Sequence, residues 1–555
     1  MSDIWILGLN LNHNSSVTLL KNGEVIFFLE EDRLSRVKHD EYLYHTLSKI
    51  TSYTKKLDYV IVGAENGSNS YNFLCVKGIL VKFKLISTNF QITHFVDEHH
   101  IFHASSAFYS SGFSEAICLV IDGGGQFKQF ERYHNGNECE SVYLANYNDG
   151  LTPMYKKYMN TYGVDPIYNY KSIHNFVSQP NIACLYSGLT RQLGFCNLDC
   201  GKTMGLSAYG QKDNSIPEIF VNIAGEKLLN KNLYNMHLYK DETGQLVEDF
   251  NNPNIVGFEK YDKENLCFTI QKATEEYVVE MVNKSLQMSS CKNLVLSGGL
   301  FLNVVANYEF IKNIPSDVKV FIDPIAHDGG LSLGAAKWLH HKLFSDKTIR
   351  KQKAYYLGPL PEYNYTLNDD EEEIEVDHDY VVKLLEEQNI VALYQGRSEA
   401  GPRALGNRSL LFDPRNKNGK DIVNVVKQRE WFRPFAGTIL KEYADEYFEM
   451  CSLEESPFMM YAVKVREGKE KIIPAITHVD NTCRIQTLTK EQNKHYYKLI
   501  ECFYKKTGVP ILLNTSFNLA GDTLVETMDD ALRTIRNSDL KYLYLPELGK
   551  LIMKK

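Results

Sequence analysis

At 555 residues the chain exceeds what one ordinary hydrophobic core supports, so two large domains or three smaller ones are expected. Its 44% hydrophobic and 23% charged residues exclude a disordered tail or a collagen-like array. A net charge of −8 argues against a general nucleic-acid coat, which needs excess Lys and Arg facing phosphates.

The odd count of eleven cysteines, with Cys196 and Cys200 as the close pair, gives neither a disulfide framework nor a zinc cluster of two CxxC pairs. Free thiols in a reducing compartment are the expectation. The N-terminal apolar run is short and lacks a basic leader, and no stretch reaches the roughly 20 apolar residues of a membrane helix, so a cytoplasmic protein is expected.

The run IWILGL at residues 4–9 predicts a strand that leads into the polar turn NLNHNSS. Strands VTLL and VIFFLEED follow around Asn22-Gly23, a type I′ hairpin signal because both residues tolerate positive φ. Next comes DEHHIFHASSAFY, a predicted helix with Asp97 as N-cap and His99 and His103 four apart on one face. The opening order then returns: strand AICLVIDGGG, a polar turn, then QFKQFERYH and ECESVYLAN around Asn135-Gly136. Such a duplication suggests an actin-like ATPase fold, with two related lobes gripping phosphates.

Residues 138–195 are rich in Tyr and Asn, and Tyr155, Tyr158, Tyr162, Tyr168 and Tyr170 are candidates to stack on an acceptor ring, against the plain reading of surface tyrosines. In GKTMGLSAYG, Lys202 could place a charge on a phosphate or simply be solvated. NLVLSGGLFLN and VKVFIDPIAHDGGLSLGAAKWLHH each read as strand, Gly-containing loop and helix. Residues 346–379, with Pro359, Pro361 and the acid run DDEEEIE, read as a connector between domains at 1–345 and 380–555. The last domain mixes strands VALYQG, MMYAVKV and ILLN with helical KEQNKHYYKLIECFYKK.

Several constellations carry chemistry. His99 and His103 can reach one metal ion, and Asp122 in VIDGGG and Asp328 in AHDGG stand where an actin-like cleft would converge. Two His with one or two carboxylates and an open position suit non-haem iron better than closed structural zinc. Gly124, Gly298 and Gly299, with Asn303 in the same SGGLFLN stretch, could cradle phosphates, although glycine after a strand also marks a plain turn. Between Arg397 and Arg433 stand nine Lys or Arg against four Asp or Glu. Interleaved Gly and Pro favour loops folded around a small polyanion, a triphosphate before an RNA strip.

On HNSS, EEDRLSRVKHD, EHHIFHASSAFY, GKTMGLSAYG, SGGLFLN, GRSEAGPRALGNRS, REWFRPFA, PAITHVDNTCRIQT and GVPILLNTSFNLAGD, in that order over nearly the whole chain, the sequence resembles the NodU/CmcH family of O-carbamoyltransferases. The resemblance implies an α/β protein. It would have an N-terminal actin-like (ASKHA, threonylcarbamoyl-transferase-like) duplicated domain and a C-terminal YrdC-like α/β domain. It implies that carbamoyl phosphate and ATP, with Mg2+, form carbamoyl adenylate, from which an acceptor hydroxyl takes the carbamoyl group. His13 matches the family's catalytic histidine, with loop capping as its plain alternative. His99, His103 and Asp328 match the Fe(II) ligands, and Asp122 matches a further one. Arg397, Arg403, Arg408, Lys427, Arg429 and Arg433 would hold ATP and carbamoyl phosphate, joined by His478, Arg484, Asn514, Ser516 and Asn518; some of these must be structural. The chain departs from the pattern at Ala520, Asp522 and Thr523.

The expected acceptor is a sugar or secondary metabolite. A hydroxymethyl base of modified DNA or a nucleotide is the second class, so nucleic acid enters only as acceptor, and no membrane partner is expected. An actin-like sugar kinase or tRNA-modifying enzyme conflicts with the second domain. A binding module without activity conflicts with the pairing of His13 and an arginine-rich site.

Overall fold

The computed structural model describes residues 3–65, 70–94, 98–125, 127–131, 134–159, 168–170, 173–177, 179–223, 226–240 and 246–555. It is an α/β protein of mixed sheets in two compact units. One comprises Met1–His94, Asp328–His340 and Gln352–Lys555; the other comprises Phe95–His327 and His341–Lys351.

In the first unit, a five-stranded sheet runs in the order Glu24–Glu30, Ser16–Lys21, Trp5–Leu11, Tyr59–Glu65, Thr93–His94. The first three strands are antiparallel, and the last two add in parallel. Asn22 and Gly23 take φ of 52° and 82°, the positive pair that the hairpin signal requires. Trp5–Leu11 is apolar almost throughout because both its faces are covered. Leu7, Leu9, Val17, Leu19 and Val60 join one core, and the Ser332 carbonyl lies so close to Gly8 that a Cβ there would stand 2.0 Å from it. Ser16 Oγ donates to the Gly329 carbonyl at 2.7 Å, which fixes the turn that carries Asp328.

The same unit holds a nine-stranded mixed sheet. Its order is Glu371–Glu375, Lys550–Lys554, Tyr542–Leu545, Val391–Tyr394, Arg408–Phe412, Ile511–Ser516, Ala436–Leu440, Thr482–Leu488, Ala462–Lys464. The acid run read as a solvated connector supplies the edge strand Glu371–Glu375. Its carboxylates are matched by cations: Glu373 by Lys550 at 2.6 Å and Glu371 by Arg536 at 2.7 Å. Alternating acids suit an edge whose partner strand brings lysines.

In the second unit the strands order as Tyr168–Tyr170, His174–Val177, Gly150–Met159, His134–Asn146, Glu115–Ile121, Asn293–Ser297, Lys319–Ile322. From Gly150–Met159 onward this repeats the first sheet: an antiparallel trio followed by two parallel strands. The trio differs from the sequence expectation in its turn. The expected hairpin forms, Phe127–Glu131 pairing antiparallel with His134–Asn146, but Asn135 and Gly136 lie inside its ladder opposite Gln129 and Lys128; the trio itself is completed by a further reversal between Asn146 and Gly150. There the Asn146 side chain accepts the N–H groups of Asn148 and Asp149, both at 2.8 Å, and Gly150 takes φ 75°. All eleven cysteines are free thiols. Among the described residues, no helix is long and apolar enough to cross a membrane.

Candidate active site

The helix His99–Ser111 starts after Glu98, whose side chain makes no cap bond; Asp97 lies outside the described residues. One helical turn puts His99 and His103 over the end of the strand Glu115–Ile121. Their Nε2 atoms stand 3.4 and 3.9 Å from the same Asp122 Oδ2. Ligand atoms of one ion bound at about 2 Å stand about 3 Å apart, so this spacing fits three donors around a shared centre. Asp122 is fixed from behind. Its Oδ1 accepts the Gly299 N–H at 3.0 Å, and Asn181 donates to its carbonyl at 2.6 Å. Gly298 takes φ +97°, and a Cβ there would meet the Ile121 carbonyl at 2.3 Å, so only glycine lets the SGG turn come this close to Asp122. Gly124 lies between Gly123, whose carbonyl accepts from Cys184, and Gly125, whose N–H donates to Glu138.

Two other candidates of this unit are engaged locally. Lys202 pairs with Asp199 at 3.0 Å and lies over the Phe195 ring. Asn303 caps the helix Val304–Asn313 through Ala306 N–H and bonds Gln271.

In the first unit, His13 occupies the turn after Trp5–Leu11, its side chain 36% exposed and therefore reachable. Its Nε2 is 3.2 Å from Asp328 Oδ2, which also accepts from Asn12, and its Nδ1 is 3.3 Å from Asn14 Oδ1. Asn14, at φ 57°, donates to Glu30, and Asn10 donates to the carbonyls of His13 and Asn14, so the turn is braced on both sides.

The second cluster in this unit is cationic. Arg484 lies on the strand Thr482–Leu488 in register with Ala436, which also pairs with Asn514. Burial depresses the guanidinium pKa of Arg403, Arg429 and Arg484, the last to about 10, and their next causes are one another and Arg433. Glu430 bonds Arg433 at 3.3 Å and also acts on Arg429. Lys427 is buried, with its ammonium held by the carbonyl of Ser516 and by Asn518 Oδ1 at 3.0 Å; burial, then Arg429 and Arg433, push its pKa well down. Like charges gathered in partly buried surroundings have the chemistry to hold a polyanion.

The other candidates of this region make contacts within the protein. Arg397 donates to the carbonyls of Gly358, Ile26 and Leu357. Arg408 is fully buried on the Tyr394 ring and donates to the Gln395 and Gly396 carbonyls. Asn514 bonds Thr438 and the Ala404 carbonyl. His478 closes a turn with Thr482, and Ser516 donates to Asn518.

Two family models match the chain, the carbamoyltransferase N-terminus over residues 61–337 and the carbamoyltransferase C-terminus over residues 382–554. The nodulation protein NolNO of Sinorhizobium fredii is 31% identical over 98% of this chain and 79% of its own length. The chain belongs to the carbamoyltransferase family. It is an enzyme, and among its relatives is the 3'-hydroxymethylcephem-O-carbamoyltransferase of Streptomyces clavuligerus, 30% identical over 60% of this chain and 61% of that one. Full-length HypF in its phosphate- and nucleotide-bound form aligns over 61% of this carbamoyltransferase chain and 47% of its own at 11% identity and TM-score 0.33, too remote to argue the fold from.

The structure adds residues that the sequence reading passed over. Glu399 is buried, and one of its oxygens accepts the N–H groups of Leu405, Asn407 and Arg408 at 2.8, 2.8 and 3.2 Å, which folds the loop carrying Arg403. The signal was an acid inside an arginine-rich motif. His100 lies under Gly125 with Nδ1 2.8 Å from Ser141 Oγ, and burial pushes its pKa down to about 3. Tyr155 and Tyr158 are buried; Tyr158 stacks on Phe176 and Tyr155 lies under Lys284, so both are sheet packing. Tyr162 and the side chains of Tyr168 and Tyr170 lie outside the described residues.

Proposed function

We propose that this carbamoyltransferase makes carbamoyl adenylate from carbamoyl phosphate and ATP and transfers the carbamoyl group to an acceptor hydroxyl. The observation that carries this reading is the cluster of Arg403, Arg429, Arg433 and Arg484 with buried Lys427, a charge arrangement that suits two phosphate-bearing substrates together. Water splits carbamoyl phosphate into carbamate and phosphate. A carbamate oxygen then attacks the α-phosphorus of ATP, and pyrophosphate leaves with Mg2+. The acceptor oxygen attacks the carbamoyl carbon, AMP departs, and His13 Nε2 takes the hydroxyl proton. A mixed anhydride of this kind is lost to bulk water, so the reading requires that it stay enclosed until transfer. The repeated strand order of the two smaller sheets supports an actin-like N-terminal region, and we read the nine-stranded sheet as YrdC-like.

His99, His103 and Asp122, a set of two imidazoles and a carboxylate, fit Fe(II), and the family resemblance adds Asp328 to the ligands. When bound, the ion would supply positive charge to offset the departing AMP. This chain's own residues orient that set: Gly299 N–H holds the Asp122 carboxylate and Ser297 stands 3.5 Å from His103 Nδ1. The acceptor is a sugar, a secondary metabolite or another hydroxymethyl compound, the last being the group in the name of the cephem relative.

On purified protein, pyrophosphate release from ATP should depend on carbamoyl phosphate; release that carbamoyl phosphate leaves unchanged ends the adenylation reading. Iron analysis should show the wild type loaded and the His99→Ala and His103→Ala variants depleted by about 10-fold or more after dialysis. Equal iron in all three would remove the ligand set.

A further inference from the structure

Arg33 and Arg36 lie at the short helix Asp32–Ser35 that follows the strand Glu24–Glu30, and both side chains leave their own sheet. Arg33 Nη2 donates at 2.6 Å to the carbonyl of Gly401, two residues before Arg403. Arg36 makes a three-pronged grip on another loop: Nη1 to the Leu524 carbonyl at 2.6 Å, Nη2 to the Thr523 carbonyl at 2.7 Å, and Nη2 to the Asp522 carboxylate at 2.7 Å. Asp522 in turn offers its carbonyl to the Asn518 side chain at 2.8 Å, and Asn518 and Ser516 hold the Lys427 ammonium. Arg36 itself takes φ 63°, a left-handed conformation that a non-glycine residue holds only where surroundings over-determine it.

The same segment braces the His13 turn. Ser15 N–H donates to the Asp40 carbonyl and Ser15 Oγ to the Tyr42 carbonyl, both at 2.9 Å, while His39 Nδ1 stands 3.1 Å from Asn14 Oδ1. One stretch of chain therefore touches the His13 turn and both loops of the arginine cluster.

We propose that Arg33 and Arg36 are positioning residues that hold the two loops of the anion site in their binding geometry from the segment that also braces His13. The inference deepens the proposed function and rests on it. It gives a role to Asp522, whose carboxylate completes the grip of Arg36.

Arg36→Ala should raise KM for carbamoyl phosphate in the pyrophosphate assay by about tenfold, while kcat changes by less than about threefold and the melting temperature stays close to that of the wild type. In a double-mutant cycle, Arg36→Ala with Asp522→Ala should be no worse than the more damaging single change, as expected of two ends of one contact. An unchanged KM, a fall in kcat that tracks loss of folded protein, or additive effects in the cycle would each overturn the proposal. If the wild type makes no pyrophosphate from ATP and carbamoyl phosphate, the adenylation reading fails by itself. The grip is then judged by calorimetric binding of inorganic pyrophosphate: affinity about tenfold weaker in Arg36→Ala supports it, and equal affinity overturns it.

Discussion

His13→Ala is expected to slow carbamoyl transfer by about 10²- to 10⁴-fold while leaving carbamoyl-phosphate-dependent pyrophosphate formation within about threefold of the wild type. The split follows from where the groups lie. His13 reaches Asp328 from a turn braced by Asn10, Asn14 and Glu30, whereas the charges suited to ATP and carbamoyl phosphate stand on the loops around Arg403, Arg433 and Lys427. Removing an imidazole that is 36% exposed costs little packing, so a stability effect should not mask the kinetic one. The measurement is a rapid-quench assay with a panel of hydroxyl compounds. Pyrophosphate should appear in a burst of about one equivalent with AMP release slowed after it. Parallel loss of both products would remove the base assignment and leave His13 as a loop residue.

What could be read from the sequence depended on whether the chemistry was local. His99 and His103 are one helical turn apart, so their convergence needs only the helix, and the SGG motif announces a turn at Gly298 that the structure uses against Asp122. Hairpin position was less legible. Asn22-Gly23 and Asn135-Gly136 have the same turn propensity, but only the first lies where the hydrophobic ladder ends; the second is drawn into pairing with Gln129 and Lys128. The surplus of Lys and Arg over residues 397–433 marks a cationic stretch but does not sort its members. Arg397 and Arg408 read like Arg403 in the same motif, yet their donors face backbone carbonyls, because whether a guanidinium meets a carbonyl or a ligand is decided by strands distant in sequence. The acids of residues 371–375 read as a connector and not as a strand because their matching cations, Lys550 and Arg536, come from the far end of the chain.

Arg484→Met should separate stability from function in the opposite sense to an ordinary site mutation. Arg484 stands on a strand between small register partners, Ala436 and Ala462, and burial followed by the nearby Arg433 holds its pKa down to about 10. Its charge is therefore unfavourable in the absence of ligand, and the physical reason to keep it is the anion it would meet. Methionine preserves the apolar stem and removes the charge. The unliganded variant should melt about 1–2 °C higher than the wild type, the equivalent of about 1 kcal/mol. At the same time kcat/KM for carbamoyl phosphate in pyrophosphate formation should fall by about 10²-fold, the effect of losing one charge-assisted contact in a desolvated site. Scanning calorimetry with and without carbamoyl phosphate reads both consequences, since a ligand that binds only the folded protein raises its melting temperature. The wild type should show that rise and Arg484→Met should not. A lower melting temperature combined with an undiminished ligand shift would mean that Arg484 is a packing residue and that the polyanion is held elsewhere.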